Sequence, residues 1–267
     1  INVSRVLKTL DVDSTALGFA GGFPGEFISK TLEESKIHTD FIEVDEDTRI
    51  NVKLKSGQET EINAPGPKVT QDQFQALLTQ IKNTTNKDTV IVAGSVPNSI
   101  PSDAYAQIAE ITKNTGAKLV VDAEKDLVET VLPYQPLFIK PNKDELEVMF
   151  NTTVSSDQDV VKYGKEILKK GAQSVIISLG GDGAVYVDEQ QSIKAVNPQG
   201  KVINTVGSGD STVAGMVAGL ESGLSIQDAF KQAVASGTAT AFEEDLATRD
   251  AIEKIKSQVT VSVLDGE

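Results

Sequence analysis

The segment Asn204-Thr205-Val206-Gly207-Ser208-Gly209-Asp210-Ser211 joins the residue types needed to hold an anion and to move a proton. Gly207 and Gly209 let the backbone turn sharply and come close to a ligand. A run of small and apolar residues follows, Thr212 to Leu220, and reads as a helix. The first turn of a helix leaves N–H groups without intrahelical acceptors, and the aligned peptide dipoles add positive potential there. Such a turn suits a phosphate, and also the charge that develops while a phosphoryl group moves. Asp210 within it has two readings on the residues alone. It caps the helix, as Asp commonly does, or it accepts the proton of an attacking hydroxyl. Phosphoryl transfer passes through a loose transition state and asks little of its base, so a weak but well-placed carboxylate is enough.

Three other segments carry chemistry. Ser178-Leu179-Gly180-Gly181-Asp182-Gly183 lies between two β-rich runs. It is good material for a tight hairpin turn, and its glycines leave room for a flat or phosphorylated ligand. Lys140-Pro141-Asn142-Lys143-Asp144-Glu145 sits at a strand-to-helix junction. Asn142 and Glu145 share a face there. They form either a reciprocal capping box, favoured if the pair stood alone, or hard oxygen ligands that hold Mg²⁺ through water. Ala93-Gly94-Ser95 closes an apolar run, and the carboxyl ends of strands are where α/β sheets bind ligands. The alternative is a plain strand-ending turn.

The elements that must position these residues follow from the hydrophobic pattern. Candidate strands are Thr15–Ala20, Thr89–Ala93, Lys118–Asp122, Leu137–Ile139, Ser174–Leu179 and Ala184–Val187. Val90-Ile91-Val92, Leu119-Val120-Val121 and Val175-Ile176-Ile177 are continuously apolar, which predicts strands buried on both faces. Helical spacing fills the gaps, as over 102–114 with Ser102 as N-cap and Gly116 beyond the end. Asn2 to Leu10 is a helix from the outset, and Gln258–Glu267 is a short strand or an extended tail. Strands alternating with helices predict a three-layer α/β fold with crossover connections. Residues 41–63 break the pattern with three β-like runs, Phe41–Val44, Arg49–Lys55 and Glu59–Asn63, the last two joined at Ser56-Gly57. In the middle run Ile50, Val52 and Leu54 face one way, and Arg49, Asn51, Lys53 and Lys55 the other. This predicts a small sheet apart from the core. Taken alone it favours an exposed hairpin over a lid with a cationic face.

Composition narrows the functions. The 267 residues carry 25 Lys+Arg against 39 Asp+Glu, a formal net charge of −14, which argues against nucleic-acid and anionic-membrane partners. With no cysteine there is no disulfide, thiolate metal site or cysteine nucleophile. The single histidine, His38, rules out a two-histidine metal site within the chain and is expected at the surface without a chemical role. Neither a Walker-type phosphate loop, nor a dinucleotide glycine fingerprint, nor a Gly-x-Ser-x-Gly elbow is present. No apolar stretch is long enough to span a bilayer, and the expectation is a cytoplasmic protein.

In this order the motifs resemble the ribokinase-like carbohydrate kinases of the PfkB family, over the whole chain. Asn204–Ser211 resembles that family's C-terminal signature, Lys140–Glu145 its Asn-x-x-Glu motif, and Ser178–Gly183 its nucleotide-binding turn. The resemblance implies a single ribokinase-like domain over 1–267, with a mainly parallel central sheet and a β-sheet lid at 41–63. It implies transfer from ATP to a sugar phosphate, with fructose 1-phosphate as acceptor. The alternatives are tagatose 6-phosphate on the same site, or a non-catalytic nucleotide- or sugar-phosphate-binding regulator. Asp210 would be the base, and Gly207, Ser208 and Gly209 would supply N–H groups to the moving phosphoryl. Ser178, Leu179, Gly180, Gly181, Asp182 and Gly183 would line the ATP site together with Gly209 and Asp210. Asn142 and Glu145 would organise Mg²⁺ through water. Asn2, Arg49, Lys53, Gly94 and Ser95 would contact the sugar phosphate, with Arg49 gripping its phosphate. The lids would pair two subunits into a homodimer. Only Ile1-Asn2 matches the end of the family's N-terminal Gly-Gly-Lys-Gly-x-Asn signature, so a preceding strand and part of the lid are expected upstream of Ile1.

Overall fold

The computed structural model describes residues 1–56, 58–94 and 96–264, and for 53–56 and 58–61 the backbone. The chain runs through α1 (Asn2–Thr9), β1 (Thr15–Ala20), α2 (Gly22–Glu34), β2 (His38–Glu43), β3 (Val52–Ser56) and β4 (Gln58–Ile62). It continues through α3 (Gln71–Lys82), β5 (Thr89–Ala93), α4 (Ala104–Thr115), β6 (Lys118–Asp122), α5 (Lys125–Val131), β7 (Phe138–Ile139) and α6 (Lys143–Phe150). The last part is α7 (Asp157–Lys170), β8 (Ser174–Ser178), β9 (Ala184–Asp188), β10 (Ser192–Val196), α8 (Ser208–Glu221), α9 (Ile226–Ala241), α10 (Arg249–Lys256) and β11 (Thr260–Val263).

The largest sheet has seven strands in the order β11-β10-β9-β8-β7-β6-β5. Strands β5 to β8 pair in parallel, and β9, β10 and β11 continue the sheet antiparallel. Because side chains alternate across a strand, a continuous apolar run serves both faces of the sheet. Val120, Phe138 and Ile176 pack on one side with α1, α8, α9 and α10 residues such as Val6, Val213, Phe230 and Ile252. Val121, Ile139, Val175 and Ile177 pack on the other side with Val128, Leu146, Val160 and Ile167 from α5, α6 and α7. Helices therefore cover both faces, the three-layer arrangement expected from the alternating pattern. Each fully buried Val or Ile in these layers contributes about 1.5–3 kcal/mol of transfer free energy.

Leu119-Val120-Val121 and Val175-Ile176-Ile177 are buried as predicted, but Val90-Ile91-Val92 is only half-buried. The reason is position: β5 is the edge strand of the seven-stranded sheet. The helix after it begins later than expected, since Asp103 rather than Ser102 is the N-cap of α4, while Gly116 ends it in the left-handed conformation. The C-terminal segment is a strand, β11.

The three runs between 41 and 63 do not form one sheet. Strand β2 pairs in parallel with β1, Ala20 opposite Glu43, because Ala16, Leu32 and Ile37 give this unit its own small core with α2. Only β3 and β4 pair with each other, with Ser56 opposite Gln58 on either side of Gly57, which lies outside the described residues. The strand begins at Val52, so Arg49 to Asn51 precede it; Asn51 Oδ1 accepts the Ala64 N–H there. Among the described residues no helix is long and apolar enough to cross a membrane.

Candidate functional site

The ends of β6 and β7, the first turn of α8 and the start of α1 meet at the carboxyl edge of the parallel strands. Helix α8 is set there by close packing on α9. An added Cβ at Gly219 would lie 2.7 Å from Ala229 Cα, and one at Gly215 would lie 2.8 Å from Ala233 Cα. The N-cap of α8 is Gly207, at φ +82°, and no side chain caps the helix. Asp210 is therefore not the cap. It sits in the third position of the helix, and its Oδ2 accepts a 2.9 Å hydrogen bond from Asn2 Nδ2. This removes one of the two readings left open by the residues alone.

The turn also offers amides. Ser208 N–H donates to Thr205 O at 3.2 Å and Ser211 N–H to Gly207 O at 2.8 Å. Among the described residues no backbone acceptor takes the N–H groups of Gly207, Gly209 or Asp210. Of the expected trio of Gly207, Ser208 and Gly209, Ser208 engages its amide within the turn in this structure, and Gly207 and Gly209 do not. The Asp210 amide is open in its stead. Ser208 Oγ is buried without a hydrogen-bond partner.

Below this turn lies a pair that the sequence reading did not single out. Lys140 Nζ is 3.2 Å from Asp122 Oδ1, and the Lys140 side chain is only 8% exposed. An added Cβ at Gly209 would lie 3.2 Å from Lys140 Nζ and 3.8 Å from Asp122 Oδ2. Burial pushes the Asp122 carboxyl above the usual carboxylate range; Lys140 pulls it back, and the charges of Asp210 and Glu145 push it up further. The strand-ending Asp after an apolar run was the only sign of it in the sequence.

Gly94 follows β5, whose last residue Ala93 pairs with Asp122. Its carbonyl accepts the Tyr105 hydroxyl at 3.0 Å, and an added Cβ would meet nothing within 4 Å. Burial, with the nearby Asp122 charge, pushes the Tyr105 phenol up to about 12. Ser95 and the Lys53 side chain lie outside the described residues.

Asn142 and Glu145 form a reciprocal capping box at the start of α6. Glu145 N–H donates to Asn142 Oδ1 at 2.8 Å, and Asn142 N–H donates to Glu145 Oε2 at 2.7 Å. A Mg²⁺ ion fits this pair only through water, since the box already engages Asn142 Oδ1 and one Glu145 oxygen. The hard carboxylate oxygens of Glu145 and Asp122 suit that ion. Asn142→Ala is expected to lower stability by about 1 kcal/mol through loss of the cap. Asn142→Asp, which keeps the cap, should leave the thermal midpoint within about 2 °C of the parent's.

Ser178 to Gly183 is the hairpin between β8 and β9, with a short 3₁₀ turn over Gly180–Asp182. Ser178 N–H donates to Pro141 O at 3.0 Å, so this turn lies beside the Asn142 junction. Gly180 and Gly181 face open space, since a Cβ at either would meet nothing within 4 Å. Asn197 Nδ2 donates to Gly180 O at 2.9 Å while Asn197 Oδ1 accepts the Thr238 hydroxyl at 2.8 Å, which ties the turn to α9. Arg49 Nη1 donates to Ala64 O at 3.3 Å. His38 is exposed.

A three-layer α/β fold with a carboxylate that caps nothing inside an open helix N-terminus, beside an open glycine turn, has the parts of a small-molecule kinase. Residues 1–252 match the pfkB family carbohydrate kinases, and the chain belongs to that family. It is 44% identical over 264 residues to 1-phosphofructokinase of Bacillus subtilis, spanning 99% of this chain and 87% of the relative. It is 37% identical over 265 residues to D-tagatose-1-phosphate kinase of Bacillus licheniformis, spanning 99% and 87%. A Staphylococcus aureus protein of known crystal structure superposes with a TM-score of 0.93 at 80% identity, over 100% of this chain and 87% of that one. The chain is a phosphofructokinase-type sugar kinase, and kinases of this family use ATP as co-substrate.

Proposed function

We propose that this kinase transfers the γ-phosphoryl group of ATP to the free primary hydroxyl of fructose 1-phosphate, giving fructose 1,6-bisphosphate. The observation that carries the reading is Asp210, which caps nothing, is held by Asn2 and lies among the open amides of the α8 turn. Asp210 takes the hydroxyl proton as the oxygen attacks. The Gly207, Gly209 and Asp210 amides bind the equatorial oxygens of the phosphoryl in flight. The glycine turn at 178–183 carries the nucleotide. Mg²⁺, held through water by Asn142 and Glu145, would neutralise phosphate charge when bound. Asn2 orients the base and lies within reach of the sugar. Gly94 and Ser95 line the sugar pocket, and Arg49 with Lys53 grips the phosphate already present. The β3–β4 hairpin serves as lid and as the contact between two subunits. A cytoplasmic setting suits a chain without cysteines.

Two of the relatives named above, the 1-phosphofructokinase and the D-tagatose-1-phosphate kinase, are named for sugars phosphorylated at C1, which favours fructose 1-phosphate over tagatose 6-phosphate. The test is ADP release with Mg-ATP and, side by side, fructose 1-phosphate, tagatose 1-phosphate, tagatose 6-phosphate and fructose 6-phosphate. The expected result is the highest kcat/KM with fructose 1-phosphate. A clear preference for another acceptor moves the substrate while leaving the site in place, and silence with all four overturns the reading. Arg49→Ala is expected to raise KM for the sugar phosphate by about tenfold or more with kcat little changed, as loss of a charge-assisted contact does. An unchanged KM removes Arg49 from the phosphate site.

A further inference from the structure

We propose that Arg5 and Asp245 are positioning residues, a clasp that sets the α8 turn and its base through Asn2 and Leu246; this rests on the kinase reading given above. Arg5 Nη2 donates to Asp245 Oδ2 at 2.7 Å and Nη1 to Asp245 Oδ1 at 3.2 Å, across 240 positions of chain. Two N–H groups of a planar guanidinium on two oxygens of one carboxylate fix orientation as well as distance. Each partner stands one step from the site. Arg5 lies one helical turn after the start of α1, its N–H donating to Ile1 O at 3.0 Å, beside Asn2, which donates to Asp210. Asp245 lies on the loop between α9 and α10, next to Leu246. An added Cβ at Gly207 would lie 2.7 Å from Leu246 Cδ2 and 3.4 Å from Asn2 Nδ2. The N-cap glycine of α8 is therefore wedged between the two elements that the pair ties together.

The same loop shapes the chain on both sides of Gly207. Ahead of it, Asn204 Nδ2 donates to Glu244 O at 3.0 Å, and Ile203 N–H donates to Ala241 O at 2.8 Å. Behind it, Ala247 N–H donates to Thr240 Oγ1 at 3.2 Å, and that hydroxyl lies 2.9 Å from Ser211 Oγ. Stability explains the pair poorly. The Asp245 side chain is 71% exposed and that of Arg5 39%, and water and salt leave such pairs little net effect on the fold. Asp245 is nonetheless held charged, since the Arg5 guanidinium and the Leu246 N–H keep its carboxyl below the usual carboxylate range. What the pair supplies is registration between a helix and a loop from opposite ends of the chain. Released, Asn2 and Leu246 are free to drift, and Asp210 moves relative to the Gly207 and Gly209 amides. A misplacement of about 1 Å at a reacting centre can cost about 100-fold in rate. The glycine turn at 178–183 makes no part of this arrangement, so nucleotide binding should not feel the change.

The experiment compares the parent chain with Arg5→Gln, Arg5→Lys, Asp245→Asn and the double variant Arg5→Gln/Asp245→Asn. Thermal midpoint, kcat and KM for ATP are measured for each. Arg5→Gln and Asp245→Asn are each expected to lower kcat by about tenfold or more. Their KM for ATP should stay within about threefold and their thermal midpoints within about 2 °C of the parent's. The double variant should be no slower than the slower single one, because both substitutions break the same clasp. Arg5→Lys keeps a charge but not the fork, and its kcat should fall between those of the parent and Arg5→Gln. Should Arg5→Gln fail to fold, Asp245→Asn decides, since it is isosteric and exposed. A kcat within about twofold of the parent's in the folded single variants makes the pair a surface contact only and sinks the proposal. A raised KM for ATP at unchanged kcat overturns it as well, because the pair would then serve nucleotide binding. A parent chain that releases no ADP with any sugar phosphate brings down the kinase reading and this inference together. An active parent with equally active variants brings down the inference alone.

Discussion

Asp210→Asn is expected to lower kcat by at least about 1,000-fold, near 4 kcal/mol of barrier, with ATP affinity nearly unchanged. The substitution is isosteric, and the new amide oxygen can still accept the Asn2 Nδ2–H that Asp210 Oδ2 accepts at 2.9 Å. The α8 turn keeps its geometry, since Asp210 does not cap it and Gly207 holds the N-cap position. What disappears is the ability to take a proton as the sugar oxygen attacks, together with one negative charge that orients the hydroxyl. Single-turnover kinetics separates this from an effect on product release, and nucleotide titration checks that ATP still binds. A loss below about tenfold would return Asp210 to a local structural role.

Gly183→Val is expected to destabilise the fold by roughly 3–5 kcal/mol, on the order of 10 °C in thermal midpoint, and to raise KM for ATP in whatever protein remains folded. Gly183 sits at φ +93° and ψ −132°, a region that side chains rarely enter. The space is closed as well, because a Cβ there would lie 1.9 Å from Ala195 O and 2.9 Å from Ala195 C. That carbonyl belongs to β10, so the clash pushes apart the β9–β10 pairing, where Ala195 faces Ala184. Gly181, two residues earlier, faces open space at a Cβ position. Gly181→Ala should therefore leave the thermal midpoint within about 2 °C while still crowding a bound nucleotide. Equal stability losses at both positions would show that turn chemistry, not the packing against β10, sets the cost.

Local chemistry explains why much of this site could be read from the chain. A Gly-Ser-Gly-Asp ahead of a run of small residues dictates a turn and a helix start wherever it lies, because the left-handed φ at Gly207 and the unpaired first-turn amides are local properties. The Asn142–Glu145 box and the glycine hairpin at 178–183 are equally local. Continuous apolar runs announced β6 and β8, since a strand covered on both faces has no polar side to show.

Tertiary structure decided the rest, and in each case the deciding contact spans a long stretch of chain. Asn2 meets Asp210 across 208 positions, so a carboxylate that caps nothing is held from the far end of the chain. Lys140 meets Asp122 only because β6 and β7 lie side by side, so one Asp at a strand end became the partner of a buried cation. The half-burial of β5 reflects its place at a sheet edge, and β2 pairs with β1 rather than with the hairpin that follows it. The residue types and short spacings of this chain determined its layers, its turns and the open helix start, because those follow from φ preferences, side-chain period and unpaired amides. Which charges face one another at that helix start was set by strand order, which depends on the summed burial of the whole sheet and is written in no single segment.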